Sequence, residues 1–207
     1  LLSGNKVRKL EFLLAEAKQQ GATVVITCGG LQSNHCRAVT VAAGHLGMKT
    51  VLFLRGQEEE HPDGNHLLDK LFGAHIRYIT PEQYKQRLEI MEAEAEELRS
   101  KGHVPYIIPE GGSNILGAYG YVKAMQEILQ WSGNNAVHFH HIVCSTGSGG
   151  TQAGLVLGKR IYGYSGTVHG VNVCDDKAYF ESVIGDVIGG FCEKHPEILA
   201  PKPEDIN

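Results

Sequence analysis

The stretch His141-Ile-Val-Cys-Ser-Thr-Gly-Ser-Gly-Gly-Thr-Gln-Ala-Gly154 decides the fold class. A short β-branched run leads into a loop with Gly147, Gly149 and Gly150, and a helical stretch opens at about Thr151. Strand, glycine turn and helix together form the joint of parallel α/β structures. The same joint recurs along the chain. Apolar runs at 23–27, 50–54, 75–79, 105–108, 141–145 and 168–173 are mostly continuous rather than alternating, so they are expected to be strands buried on both faces. Helices are expected at 7–20, 34–46, 65–72, 81–101, 114–131, 151–162 and 177–194. Gly21, Gly47, Gly73 and Gly102 each follow such a stretch, where a left-handed terminal residue is wanted, and Pro81 suits a first helical turn. The glutamate-rich part of 81–101 reads as a solvated outer face. The result is a doubly wound parallel α/β architecture, with a change of domain near Gly111-Gly112.

Composition narrows the partners. Of 207 residues, 42% are hydrophobic and 20% charged, which is ordinary for a globular chain. Nineteen Lys and Arg against 23 Asp and Glu leave −4, so there is no basic footprint for nucleic acid or an anionic membrane surface. No apolar run approaches the length of a bilayer span. Cys28, Cys36, Cys144, Cys174 and Cys192 are odd in number and form no C-x-x-C pair, pointing to a reducing compartment. The cytoplasm is therefore expected, or the mitochondrion if a transit segment precedes Leu1.

Three stretches carry candidate chemistry. The first is the quoted loop. Small residues let backbone N–H groups converge, the helix start adds partial positive charge, and Ser148 and Thr151 bring hydroxyl donors, which together suit a phosphate. A P-loop would need Lys after its last glycine, and Gln152-Ala153 has none; a dinucleotide fingerprint counted from Gly147 would need Gly where Gln152 stands; both argue against a nucleotide-binding domain. The second is Gly4-Asn-Lys-Val-Arg-Lys-Leu-Glu11. Here Lys6 sits at a helix start whose dipole favours the neutral amine that a Schiff base requires. The third is Cys28-Gly-Gly-Leu-Gln-Ser-Asn-His-Cys-Arg37, where Ser33 and Asn34 suit both helix capping and carboxylate binding. His138, His140 and His141 lack a matched acidic or cysteine set and do not read as a metal site. Ser33 and Ser145 are not in G-x-S-x-G, so a hydrolase elbow is not supported.

Four segments in this order resemble the tryptophan synthase β-like, fold type II pyridoxal-phosphate enzymes: residues 3–14, 29–37 with 42–48, Ile108-Pro-Glu-Gly-Gly-Ser-Asn-Ile-Leu-Gly117, and 145–154. The chain is most similar to the family of D-cysteine desulfhydrase and 1-aminocyclopropane-1-carboxylate deaminase. The resemblance implies two parallel-sheet α/β domains. Residues 1–8 and 118–207 would form a larger cofactor-binding domain, incomplete here, and 9–117 a smaller inserted one. It implies pyridoxal 5'-phosphate on Lys6 and Ser33 as an active-site serine. Asn34 would contact the cofactor's 3'-oxygen, and the backbone of Ser33, Asn34 and His35 the substrate carboxylate. Ser148, Gly149, Gly150 and Thr151 would hold the phosphate, assisted by Lys9. A homodimer, and a small amino acid as substrate, are implied as well. The run 111–117 looks more like the desulfhydrase branch than the deaminase, so β-elimination from D-cysteine is the expected reaction, with the cyclopropane amino acid as the alternative. A non-catalytic phosphate or cofactor binder is the remaining reading. The residue facing the pyridine nitrogen and an active-site tyrosine are expected beyond Asn207.

Overall fold

A computed structural model describes residues 2–202 and 205–206. Leu1, Pro203, Glu204 and Asn207 lie outside the described residues. The chain divides into two compact units, Leu1–Gly112 and Ser113–Asn207, so the boundary falls at the glycine pair noted in the sequence. No helix among the described residues is long and apolar enough to cross a membrane.

The first unit runs α1 (Val7–Gln19), β1 (Val24–Gly30), α2 (Asn34–His45), β2 (Lys49–Arg55), α3 (Gly64–Leu71), β3 (His75–Ile79), α4 (Pro81–Tyr84), α5 (Arg87–Ser100) and β4 (Pro105–Ile107). A short 3-10 turn, Glu110–Gly112, closes it. Its strands form one parallel sheet in the order β3-β2-β1-β4. Val51 and Phe53 face Met91 and Ala95 of α5 on one side. Leu52 and Leu54, one step out of phase, face Cys36 of α2 on the other. Period-two alternation thus supplies both faces of the sheet, and helices cover both. The four helix-ending glycines named above all adopt positive φ, between 72° and 81°.

The second unit runs α6 (Ile115–Asn135), β5 (His141–Thr146), α7 (Gly150–Tyr162), β6 (Thr167–Asn172) and α8 (Lys177–Lys194), with β5 and β6 parallel. Its core joins Val122 and Met125 of α6, Val156 and Leu157 of α7, and Ile184 and Phe191 of α8. Helices α6 and α7 lie close because α7 has no side chain at two positions one turn apart. A Cβ on Gly154 would stand 2.5 Å from Tyr121 Cβ, and one on Gly158 2.6 Å from Met125 Cβ.

Two expectations need correction. The stretch 81–101 is two helices, not one, because a capping box on Thr80 and Gln83 completes a single turn that drops Tyr84 into the core. Burial on both faces holds for β1 and β2 only; β3 and β5 alternate, and Val143 of β5 is 65% exposed.

Candidate active site

In the first unit the site is built from two helix starts. Lys6 is the N-cap residue of α1, following Gly4 in a left-handed turn (φ 92°). Its carbonyl accepts the N–H groups of Lys9 and Leu10 at 3.0 and 3.1 Å. No acidic residue stands in the first turn, although the helix dipole would favour one there. Lys9, one turn on, is fully buried, and its ammonium donates to the Gly111 carbonyl at 3.0 Å.

The second helix start follows β1. Gly29 is required there, since a Cβ would stand 2.6 Å from Ser33 Oγ and 2.8 Å from Cys36 Sγ. Ser33 caps α2, its hydroxyl oxygen accepting from the Cys36 N–H at 3.1 Å. The Ser33 N–H itself donates to the Gly30 carbonyl at 3.0 Å. Of the backbone at 33–35 expected to meet a carboxylate, the Ser33 N–H is thus engaged within its own turn. Asn34 projects outward, and its Oδ1 accepts from Asn65 Nδ2 at 3.0 Å.

His35 is buried and its protonation is legible from its partners. The Thr27 hydroxyl donates to the Ile108 carbonyl at 2.8 Å, so toward the imidazole 2.9 Å away it can only accept. The proton therefore sits on Nε2, and Nδ1 carries a lone pair with no hydrogen-bond partner among the described residues. Burial, then the charges of Lys9 and Lys6, push the His35 pKa down to about 3. The first unit thus gathers Lys6, Lys9 and His35 into one neighbourhood where the imidazole stays neutral.

In the second unit, β5 delivers the chain into the glycine loop. Gly149 caps α7 at φ 76°, and a Cβ there would press on Ile184 and Val183 at 3.1 and 3.2 Å. Gly150 and Thr151 are buried and Ser148 half-buried. The Ser148 hydroxyl accepts from Ser113 Oγ at 2.8 Å, and Ser113 Oγ accepts the Gly150 N–H at 3.2 Å. Ser113 is a member of this loop that the residue-by-residue reading missed. Its signal lay in the run 108–117, read only as a family marker. Thr27, Arg37 and Asn65 were missed too, because each acts through contacts that sequence spacing does not show. Hydroxyls and N–H groups at a helix start fit a phosphate, and a lysine beside a neutral imidazole fits an aldehyde. Pyridoxal phosphate carries both groups.

This is the equipment of a pyridoxal-phosphate enzyme. The family model described as pyridoxal-phosphate dependent enzyme matches residues 2–195, and the chain belongs to that family. It is 47% identical over 192 residues to a putative 1-aminocyclopropane-1-carboxylate deaminase of Thermotoga maritima, covering 92% of this chain and 61% of that protein. It is 43% identical over 199 residues to the mitochondrial bifunctional D-cysteine desulfhydrase/1-aminocyclopropane-1-carboxylate deaminase of Arabidopsis thaliana, covering 91% of this chain and 49% of that protein. A crystal structure of an ACC deaminase homologue superposes with a TM-score of 0.89 at 39% identity, over 97% of this chain and 60% of that one. The chain therefore spans 49% to 61% of the length of these relatives. Its fold is that of the fold type II enzymes.

Proposed function

We propose that the full-length protein is a pyridoxal-phosphate-dependent lyase that converts D-cysteine and water to pyruvate, hydrogen sulfide and ammonia. The observation that carries the reading is the start of α1, where Lys6 opens a helix with no acidic neighbour in its first turn, close enough to depress the His35 pKa. When bound, the cofactor supplies an electron sink for charge developing at the substrate Cα. The Lys6 amine is its proposed anchor and the base that moves the Cα proton. The N–H groups of Asn34 and His35 at the α2 start hold the carboxylate, and the Ser33 hydroxyl faces the substrate. Asn34 contacts the cofactor's 3'-oxygen, while Ser148, Gly149, Gly150, Thr151 and the Lys9 ammonium serve its phosphate. In the whole protein, 1–8 and 118–207 are assigned to the cofactor-binding domain and 9–117 to the inserted one. A homodimer in the cytoplasm is the proposed working form.

The preference for D-cysteine rests on the run 111–117. The Thermotoga relative's name supports a second reading, deamination of the cyclopropane amino acid to 2-oxobutanoate and ammonia. One experiment separates them: full-length protein with pyridoxal phosphate, assayed for sulfide from D-cysteine and for 2-oxobutanoate from 1-aminocyclopropane-1-carboxylate. Sulfide is expected to dominate; 2-oxobutanoate alone would reverse the choice. Lys6→Ala is expected to abolish turnover and the visible band of the lysine-bound cofactor while leaving the protein folded. Borohydride is expected to fix the cofactor on Lys6; label on another lysine would overturn the proposal. Colour without turnover on either substrate would leave a non-catalytic binder.

A further inference from the structure

Arg37 lies in the first turn of α2 and has no part in the chemistry above. Its side chain is buried, 7% exposed. Nη1 donates to Ser3 Oγ at 3.2 Å and Nη2 to the Ser3 carbonyl at 3.2 Å. Nη2 also lies 3.5 Å from Asn34 Oδ1, the oxygen that Asn65 already holds at 3.0 Å. With donors converging on its oxygen, the Asn34 amide is turned so that its nitrogen, a donor, is the outward group. Ser3 stands three residues ahead of Lys6, across the left-handed Gly4. Asp69 of α3 is buried and its charge is felt by Arg37, yet neither Asp69 oxygen has a hydrogen-bond partner among the described residues.

We propose that Arg37 is a positioning residue: one guanidinium fixes both the turn that presents Lys6 and the amide of Asn34, so that amine and amide donor meet one cofactor ring in register. This rests on the function proposed above. Arginine is needed because two Nη atoms grip two atoms of Ser3, which a lysine ammonium cannot do, while lysine keeps the charge that faces Asp69.

The test uses full-length protein in four forms, parent, Lys6→Ala, Arg37→Lys and Ser3→Ala, titrated with pyridoxal phosphate. Three quantities are read: the visible band, the pH at which that band titrates, and the thermal midpoint of the cofactor-free protein. Arg37→Lys is expected to weaken cofactor binding by roughly tenfold, as for loss of a charged hydrogen bond, and to shift the band's titration, with the cofactor-free midpoint near that of the parent. Ser3→Ala, at an exposed residue, is expected to change both in the same direction by less. Unchanged affinity and titration in Arg37→Lys would overturn the inference. Should that variant fail to fold, a silent Ser3→Ala would do the same. A parent that shows no band removes the functional reading itself; a band lost in Lys6→Ala and untouched in the Arg37 and Ser3 variants removes only the role of Arg37.

Discussion

Two buried groups in the first unit give stability opposite dependences on pH. His35 is held neutral, with its pKa at about 3 against about 6.5 in an unfolded chain. The unfolded state takes up that proton first, so this contribution is present above pH 6.5 and is lost as pH falls toward 3. Asp69 behaves in the other sense. Burial pushes its carboxyl up to about 7, against the pull of the Arg37 charge. Its contribution is full below the ordinary carboxylate range and is lost as pH rises through 7. Asp69→Asn is expected to remove a change in stability of about 3 kcal/mol between pH 4 and 7, and urea midpoints across that range would show it. An unchanged slope would mean that the carboxyl titrates normally. Lys6, Ser33 and Asn34 stand out as candidates in the sequence because glycines and capping residues mark them. Asp69 and Thr27 have no such mark: an acid in an amphipathic helix and a threonine in a strand look ordinary until their neighbours across the fold are known.

Among the elements, most strands and most helices could be read within a residue or two, since each strand is a short apolar run and most helices end near a glycine; β1 runs three residues past its expected end, to Gly30. The break between α4 and α5 could not. The apolar spacing Tyr84, Leu88, Met91, Ala95, Leu98 runs through the break without a change of period, and the cause lies in space: the Tyr84 ring is flanked by the guanidinium carbons of Arg55 and Arg87, 4.9 and 5.1 Å from its centroid. Continuing one straight helix would take Tyr84 away from that position. The α6–α7 contact was equally hidden, because Gly154 and Gly158 resemble helix-weakening residues when their partner helix is out of view. Gly158→Ala is expected to destabilise the protein by about 2 kcal/mol, despite alanine's better helix propensity, as the new methyl meets Met125 and the Val122 carbonyl. A thermal melt would reveal the sign; a rise in midpoint would show that the helices separate without cost.

For the molecule as a whole, the division at Gly112 was visible as a pair of glycines between two βα series, and both glycines adopt positive φ, 65° and 61°. Which end of the first unit closes on which was not visible. Lys9 and Gly111 are 102 residues apart in the chain, and their hydrogen bond ties the first helix to the last turn of that unit. Leu13, fully buried, would lie 3.0 Å from a Cβ on Gly112. Contacts of such separation form only after a large loop has closed. A growing polypeptide therefore synthesises α1 early, yet its docking surface is finished only when residue 112 has emerged from the ribosome. Pulse-labelled hydrogen exchange during refolding is expected to protect α1 amides no sooner than those of β4; earlier protection would show that the helix docks on a partial sheet. Until then the leucines at 10, 13 and 14 have no finished seat, so α1 is a segment that a chaperone of nascent chains would find uncovered.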